Sequence, residues 1–144
     1  MEGLQLLLYG FFKKMVIADN VSLRVDLIFA QPENFSSAEL VFGGILFFIQ
    51  LYTDFSGYTD IARGCAKLLG FELMRNFRVP QFSTSIPELW TKWHISLTTW
   101  FRDYFFIWLA GSNRKSTTWR IVSMVILFVV IGFCHGANHI LLFF

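Results

Sequence analysis

Charge is scarce in this sequence. Asp, Glu, Lys and Arg fill 15% of the 144 positions, where soluble domains carry roughly 25%. The net charge is only +2, and no segment clusters five or six Lys or Arg, which excludes the usual signature of a nucleic-acid partner. Cysteine is limited to Cys65 and Cys134; lacking CxxC spacing or a paired framework, both read as small buried residues rather than disulfide or metal positions. No GxSxG elbow, phosphate loop, dinucleotide fingerprint or HExxH pattern occurs, so soluble-enzyme chemistry is not signalled and no metal site is expected. Internal repeats and linkers are missing too. The three prolines, Pro32, Pro80 and Pro87, fall between apolar segments, where helices begin or end. Around Met1 there is neither the basic region nor the small-residue cleavage site of an export signal, so no removable leader is expected there.

Apolar side chains fill the space that charge leaves. The sequence is 55% hydrophobic and 19% aromatic, with 18 Phe and 5 Trp, and its mean hydropathy is +0.53. A domain this small cannot bury that much apolar surface by itself, while disordered and disulfide-rich secreted classes fail on the same composition. A membrane protein is the class that remains. Leu40–Thr53 is a run of 14 residues without charge, and extension through Thr59 approaches the roughly 20 residues a bilayer requires. Ile121–Phe144 gives 24 residues in which only histidine can carry charge, enough for a span or a span plus a re-entry. Gly3–Phe12 and Tyr104–Asn113 are shorter and read as interfacial, re-entrant or partner-covered pieces. The fold class expected is all-α: a polytopic integral membrane protein with re-entrant or interfacial helices. Between Thr53 and Arg120 nine basic residues face five acidic ones, which places that stretch on the cytoplasmic side by the positive-inside tendency.

Ser85-Ile86-Pro87-Glu88 reads as a helix start, with Ser85 as cap, Glu88 closing a capping box and Pro87 in the first turn. From there Trp90, Trp93, His94, Leu97, Phe101 and Tyr104 share one face at helical spacing, opposite Lys92, Ser96, Thr99 and Asp103. An aromatic face of this kind suits the headgroup level. His135 ends a long apolar run. An imidazole there either is satisfied by a neighbouring helix or works as a general base, because burial keeps it neutral near pH 7. His94, among tryptophans, either anchors or participates. His139 follows His135 by four residues, but without a third ligand it does not make a metal site. Asp54 and Asp60 lie six apart around Gly57, on opposite sides of a helix unless Gly57 breaks it; capping, or pairing with Arg63, is their expected duty over acid–base work or cation transport.

Several blocks in order resemble the bacterial branch of the membrane-bound O-acyltransferase family, which includes alginate O-acetyltransferases and the D-alanyl transfer proteins of teichoic acid modification. Gly10-Phe11-Phe12-Lys13-Lys14 with Val16-Ile17-Ala18-Asp19 is similar to that branch's GxxKK…IAD stretch. Tyr52 to Ala62 resembles YxDFSGYxDIA, and Leu69-Gly70-Phe71 with Asn76-Phe77 and Pro80 resembles LGF…NF…P. Ser85 to Leu97, continued by Trp100-Phe101-Arg102-Asp103-Tyr104, resembles SIxEFWRRWHISLSxWxRDY. His135-Gly136 stands where the branch has its WHG-like motif, although Cys134 replaces the Trp, Asn138-His139 replace a small residue and Trp, and the loop after Tyr104 reads FIWLAGSN where the pattern is closer to YIPLGG.

The resemblance implies transfer of an acyl group, acetyl first among them, from a cytoplasmic thioester such as acetyl-CoA to hydroxyls of an exported polysaccharide such as alginate, with no bound cofactor. It implies His135 and His94 as catalytic residues, His135 as general base, and substrate contacts at Trp90, Trp93, Asn76, Ser96 and Arg102. It also implies a multi-pass protein of a bacterial cytoplasmic membrane, working with a periplasmic acetyl-transfer partner. Family members are several times longer, so residues 1–144 are expected to form one partial domain lacking the family's first and last helices. Two other classes stay open: an inert, truncated membrane piece, and a transporter subunit suggested by His135 and Asp54. Transporters show repeat symmetry, absent here.

Overall fold

A computed structural model describes residues 1–111 and 116–135, the last by its backbone alone. The chain forms two compact units, Met1–Arg78 and Val79–Phe144. Among the described residues all regular structure is helical.

The first unit is an antiparallel helical hairpin. Its first arm joins α1 (Glu2–Phe11), a π-helical stretch (Phe12–Ala18) and α2 (Asp19–Ala30) without a gap. The piece Gly3–Phe12, expected as a short interfacial, re-entrant or partner-covered segment, is thus the beginning of a long helix. A short 3-10 turn, Pro32–Asn34, reverses the chain into α3 (Ser37–Leu68). Ser36 caps α3 with a full capping box: the Glu39 N–H donates to Ser36 Oγ at 3.4 Å and the Ser36 N–H donates to Glu39 Oε2 at 2.8 Å. The far end closes on Gly70, whose φ of +85° allows the Phe71 N–H to reach back to the Ala66 carbonyl at 2.9 Å, the paired-carbonyl ending that a left-handed glycine permits.

Glycine sets the distance between the arms. A methyl group added at Gly10 meets Ile61 Cγ1 at 2.6 Å and the Gly57 carbonyl oxygen at 2.7 Å; one added at Gly64 meets the Gly3 carbonyl oxygen at 2.8 Å. Gly3 therefore faces Gly64, and Gly10 faces Gly57, in a small-residue seam that lets two backbones touch. Farther along, Gly43 lies against Ile28 and the Phe29 and Phe47 rings meet edge to face at 6.2 Å. Hydroxyls on α3 are satisfied by the helix itself: Thr53 Oγ1 donates to the Ile49 carbonyl at 2.7 Å and Thr59 Oγ1 to the Ser56 carbonyl at 3.0 Å, as an apolar environment demands. After Gly70 the chain folds back so that buried Phe77 packs edge-on against Tyr52 at 5.7 Å and Phe55 at 5.4 Å.

The second unit holds the 3-10 turn Pro80–Phe82, α4 (Ile86–Lys92), α5 (Ile95–Trp100), a π-helical stretch (Phe101–Phe106), α6 (Ile107–Ala110) and α7 (Thr117–His135). Trp119 Nε1 donates to the Leu109 carbonyl at 3.0 Å, and Ser123 Oγ to the Trp119 carbonyl at 2.8 Å. Among the described residues two helices, α3 and α7, are long and apolar enough to cross a membrane. Large side chains such as Val41, Phe42, Ile45, Ile121 and Val125 are exposed on them. Cys65 and Cys134, expected to be buried, are exposed free thiols. Each sits on an outward side of a long apolar helix, where small size does not enforce burial.

Candidate functional site

Two neighbouring lysines organise the polar part of the first unit. Lys13 Nζ lies 2.5 Å from Asp60 Oδ2 and 3.4 Å from Ser56 Oγ, while Lys14 Nζ lies 2.6 Å from Asp54 and 2.8 Å from Asp19. Six residues on α3 turn the helix by about 120° net, so Asp54 and Asp60 stand on different sides of it, as the spacing predicts. Neighbouring side chains of the π-helical stretch span that difference. Asp60 also accepts from Arg63 Nη1 at 3.3 Å. The expected pairing with Arg63 is thus present for Asp60, but Lys13 is the closer partner, and Asp54 pairs with Lys14 instead.

Beside this cluster lies a cavity of about 30 Å³, bordered by Lys13, Asp60, Ser56, Tyr52, Arg75 and Asn76. That is room for one or two waters. Arg75 is held in place by its Nε, which donates to the Phe77 carbonyl at 2.7 Å. The Phe77 ring is itself pinned against α3, so burial of one aromatic side chain fixes a guanidinium at the cavity wall.

In the second unit the Trp-His pair breaks the helix. Ser85 caps α4 as expected, accepting from the Glu88 N–H at 3.3 Å. The Glu88 carboxylate completes its half one residue earlier, accepting from the Thr84 N–H and hydroxyl, each at 2.8 Å. Lys92 at 2.6 Å, followed by those Thr84 bonds, draws the Glu88 pKa down to about 2. Then Trp93 turns extended and His94 turns left-handed, with φ 42° and ψ 54°. The continuous aromatic face from Trp90 to Tyr104 therefore does not form. α5 restarts at Ile95, and the π-helical stretch after Trp100 shifts the register again. The turn is held by the Thr98 hydroxyl donating to the Trp93 carbonyl at 3.0 Å and the Thr98 N–H to the His94 carbonyl at 2.9 Å. A non-glycine residue in this region costs roughly 1–2 kcal/mol, a strain that concentrates at functional positions.

Of the residues singled out from sequence, His94 and Ser96 come together, Nδ1 and Oγ 3.5 Å apart. Trp93 adjoins them, and Trp90 packs its ring 5.5 Å from Phe128 of α7. Arg102 is exposed and pairs with its neighbour Asp103 at 2.7 Å, which holds that carboxylate below its usual range. Asn76 belongs to the first unit's cavity. His135 closes α7 by its backbone; Gly136, Asn138 and His139 lie outside the described residues. Among the described residues no group of three His, Cys, Asp or Glu side chains is placed to hold a metal ion. Sequence reasoning passed over Lys13, Ser56, Tyr52 and Arg75 as site residues. The available signal was two lysines inside an apolar helix, matched by two carboxylates inside another.

Comparison with known proteins agrees with these motifs. The chain is 42% identical over 137 residues to a protein named "Probable alginate O-acetylase" from Pseudomonas fluorescens, covering 95% of this chain and 27% of the relative. It is 35% identical over 136 residues to the peptidoglycan O-acetyltransferase of Helicobacter pylori, covering 94% of this chain and 26% of that protein. It is 27% identical over 144 residues to the teichoic acid D-alanyltransferase of Bacillus subtilis, covering 93% and 35%. The chain thus spans roughly a quarter to a third of the length of these relatives. Residues 3–144 match the family model of the membrane-bound O-acyltransferases, and the chain belongs to that family.

Proposed function

We propose that the full-length protein is a multi-pass O-acyltransferase of a bacterial cytoplasmic membrane, with re-entrant pieces beside its spans. It moves an acetyl group from a cytoplasmic thioester, acetyl-CoA first among candidates, to hydroxyls of an exported polysaccharide such as alginate, with a periplasmic acetyl-transfer protein as partner. The reading is carried by the family match across residues 3–144, supported by relatives named as O-acetylating enzymes.

In this reading His135 is the general base. The acceptor oxygen attacks the thioester carbonyl carbon as imidazole takes the hydroxyl proton; the carbon–sulfur bond then breaks and the leaving thiolate receives that proton. A general base in this role takes up the hydroxyl proton in the transition state, so it acts in its unprotonated form. His94, held at the head of α5, positions or polarises a reactant. Trp90, Trp93, Ser96, Asn76 and Arg102 contact donor or acceptor. The test is acetyl transfer to polymer by the full-length enzyme and its His135→Ala variant: a loss of about 10²–10⁴-fold is expected for a general base, and undiminished transfer overturns the assignment.

A further inference from the structure

The cavity of the first unit has more cationic than anionic wall. Lys13 and Arg75 border it together with Asp60, and Asp60 is already shared between Lys13 and Arg63. Arg75 differs from these. Among the described residues no carboxylate pairs with it; its one hydrogen bond, from Nε to the Phe77 carbonyl, leaves both terminal nitrogens of the guanidinium available. Surface arginines without partners are common, but they are mobile and solvated. This one is fixed at Nε by a carbonyl whose own residue is 4% exposed, and it borders the same small cavity as Lys13 and the Ser56 hydroxyl. A guanidinium held in this way is preorganised for two parallel bonds to an oxyanion.

We propose that this cavity is a recognition site for one phosphate group. With about 30 Å³ it admits one phosphate oxygen and leaves the rest of the group at the mouth, on Arg75, which is exposed. An ester-linked phosphate therefore fits, because the substituent stays outside. Two sources supply that chemistry: a phospholipid headgroup and a water-soluble phosphate. Neither requires the transfer reaction, so the site is tested by binding alone.

The full-length protein, purified in a phosphate-free sugar detergent, is compared with its Arg75→Gln and Arg75→Lys variants. Native mass spectrometry counts retained phospholipid, and phosphorus NMR follows titration with inorganic phosphate and glycerol phosphate. A lipid source is read as a phospholipid that the wild type keeps and Arg75→Gln loses. A soluble source is read as phosphate binding weakened at least tenfold in Arg75→Gln, with Arg75→Lys in between. Ser56→Thr, which narrows the cavity and keeps every cation, serves if Arg75→Gln does not fold, and loss of binding in it likewise supports the site. Equal lipid retention and equal phosphate affinity in wild type and a folded variant overturn it, leaving a cavity filled by water only.

Discussion

His94 pays for its position in backbone strain, and that strain separates fold from function. With φ at 42°, alanine at this site keeps the unfavourable conformation while removing the imidazole; glycine removes both. His94→Gly should therefore be more stable than His94→Ala by about 1 kcal/mol, measured by thermal unfolding of the purified full-length protein. If His94 positions a reactant, both variants lose transfer alike despite that difference. If instead the residue only anchors the turn, activity follows stability and the glycine variant recovers. The neighbourhood shows what sequence can and cannot convey at this scale. Ser85 as a cap was legible, since a cap is a local bond between residues three apart. The left-handed turn was not: Trp93 and His94 fit a helical pattern, and the Thr98 bonds to the Trp93 and His94 carbonyls belong to the folded turn rather than to any pattern in the sequence.

At the scale of elements, the hairpin is decided by its glycines more than by its aromatic side chains. Gly10 and Gly57 approach so closely that a methyl at Gly10 sits 2.9 Å from the Ile61 nitrogen, whereas one at Gly44 meets nothing within 4 Å. Backbone atoms cannot swing aside as a flexible side chain can. Gly10→Ala is expected to destabilise by about 1–3 kcal/mol, while Gly44→Ala, on the same pair of helices, should be neutral or gain up to about 1 kcal/mol from helix propensity. Thermal unfolding in detergent checks the pair, and equal effects at both positions would show that the seam is not tight. The span α3 was visible from its uncharged run, but the length of the first arm was not. Lys13 and Lys14 interrupt its apolar pattern; Lys14 has Asp19 nearby, but both lysines also pair across the hairpin, with Asp60 and Asp54, more than thirty-five residues away. Long-range compensation of this kind leaves no local trace, so the arm read as a short segment.

For the whole molecule, the question is how this section lies in a bilayer. α3 has 32 residues, about 48 Å at helical rise, against a hydrocarbon core of roughly 30 Å. Its uncharged part runs from Leu40 to Thr53, and its charged part from Asp54 to Lys67 is the one paired with Lys13, Lys14 and Glu2. We expect the surplus length at the charged end, toward the headgroups, where water and lipid phosphates reach ionised groups. The basic excess between Thr53 and Arg120 predicts a cytoplasmic position for that end, and the opposite side for the turn around Asn34, at the other end of α3. Cysteine labelling in cells decides this, provided the exposed Cys65 and Cys134 are first replaced by alanine. In the full-length protein a cysteine introduced at exposed Asn34 should react with a membrane-impermeant maleimide from outside, and one at exposed Thr84 only after the membrane is opened. The reverse pattern would invert the section and move the cavity beside Asp60 to the external face, where a lipid headgroup of the outer leaflet could still reach it.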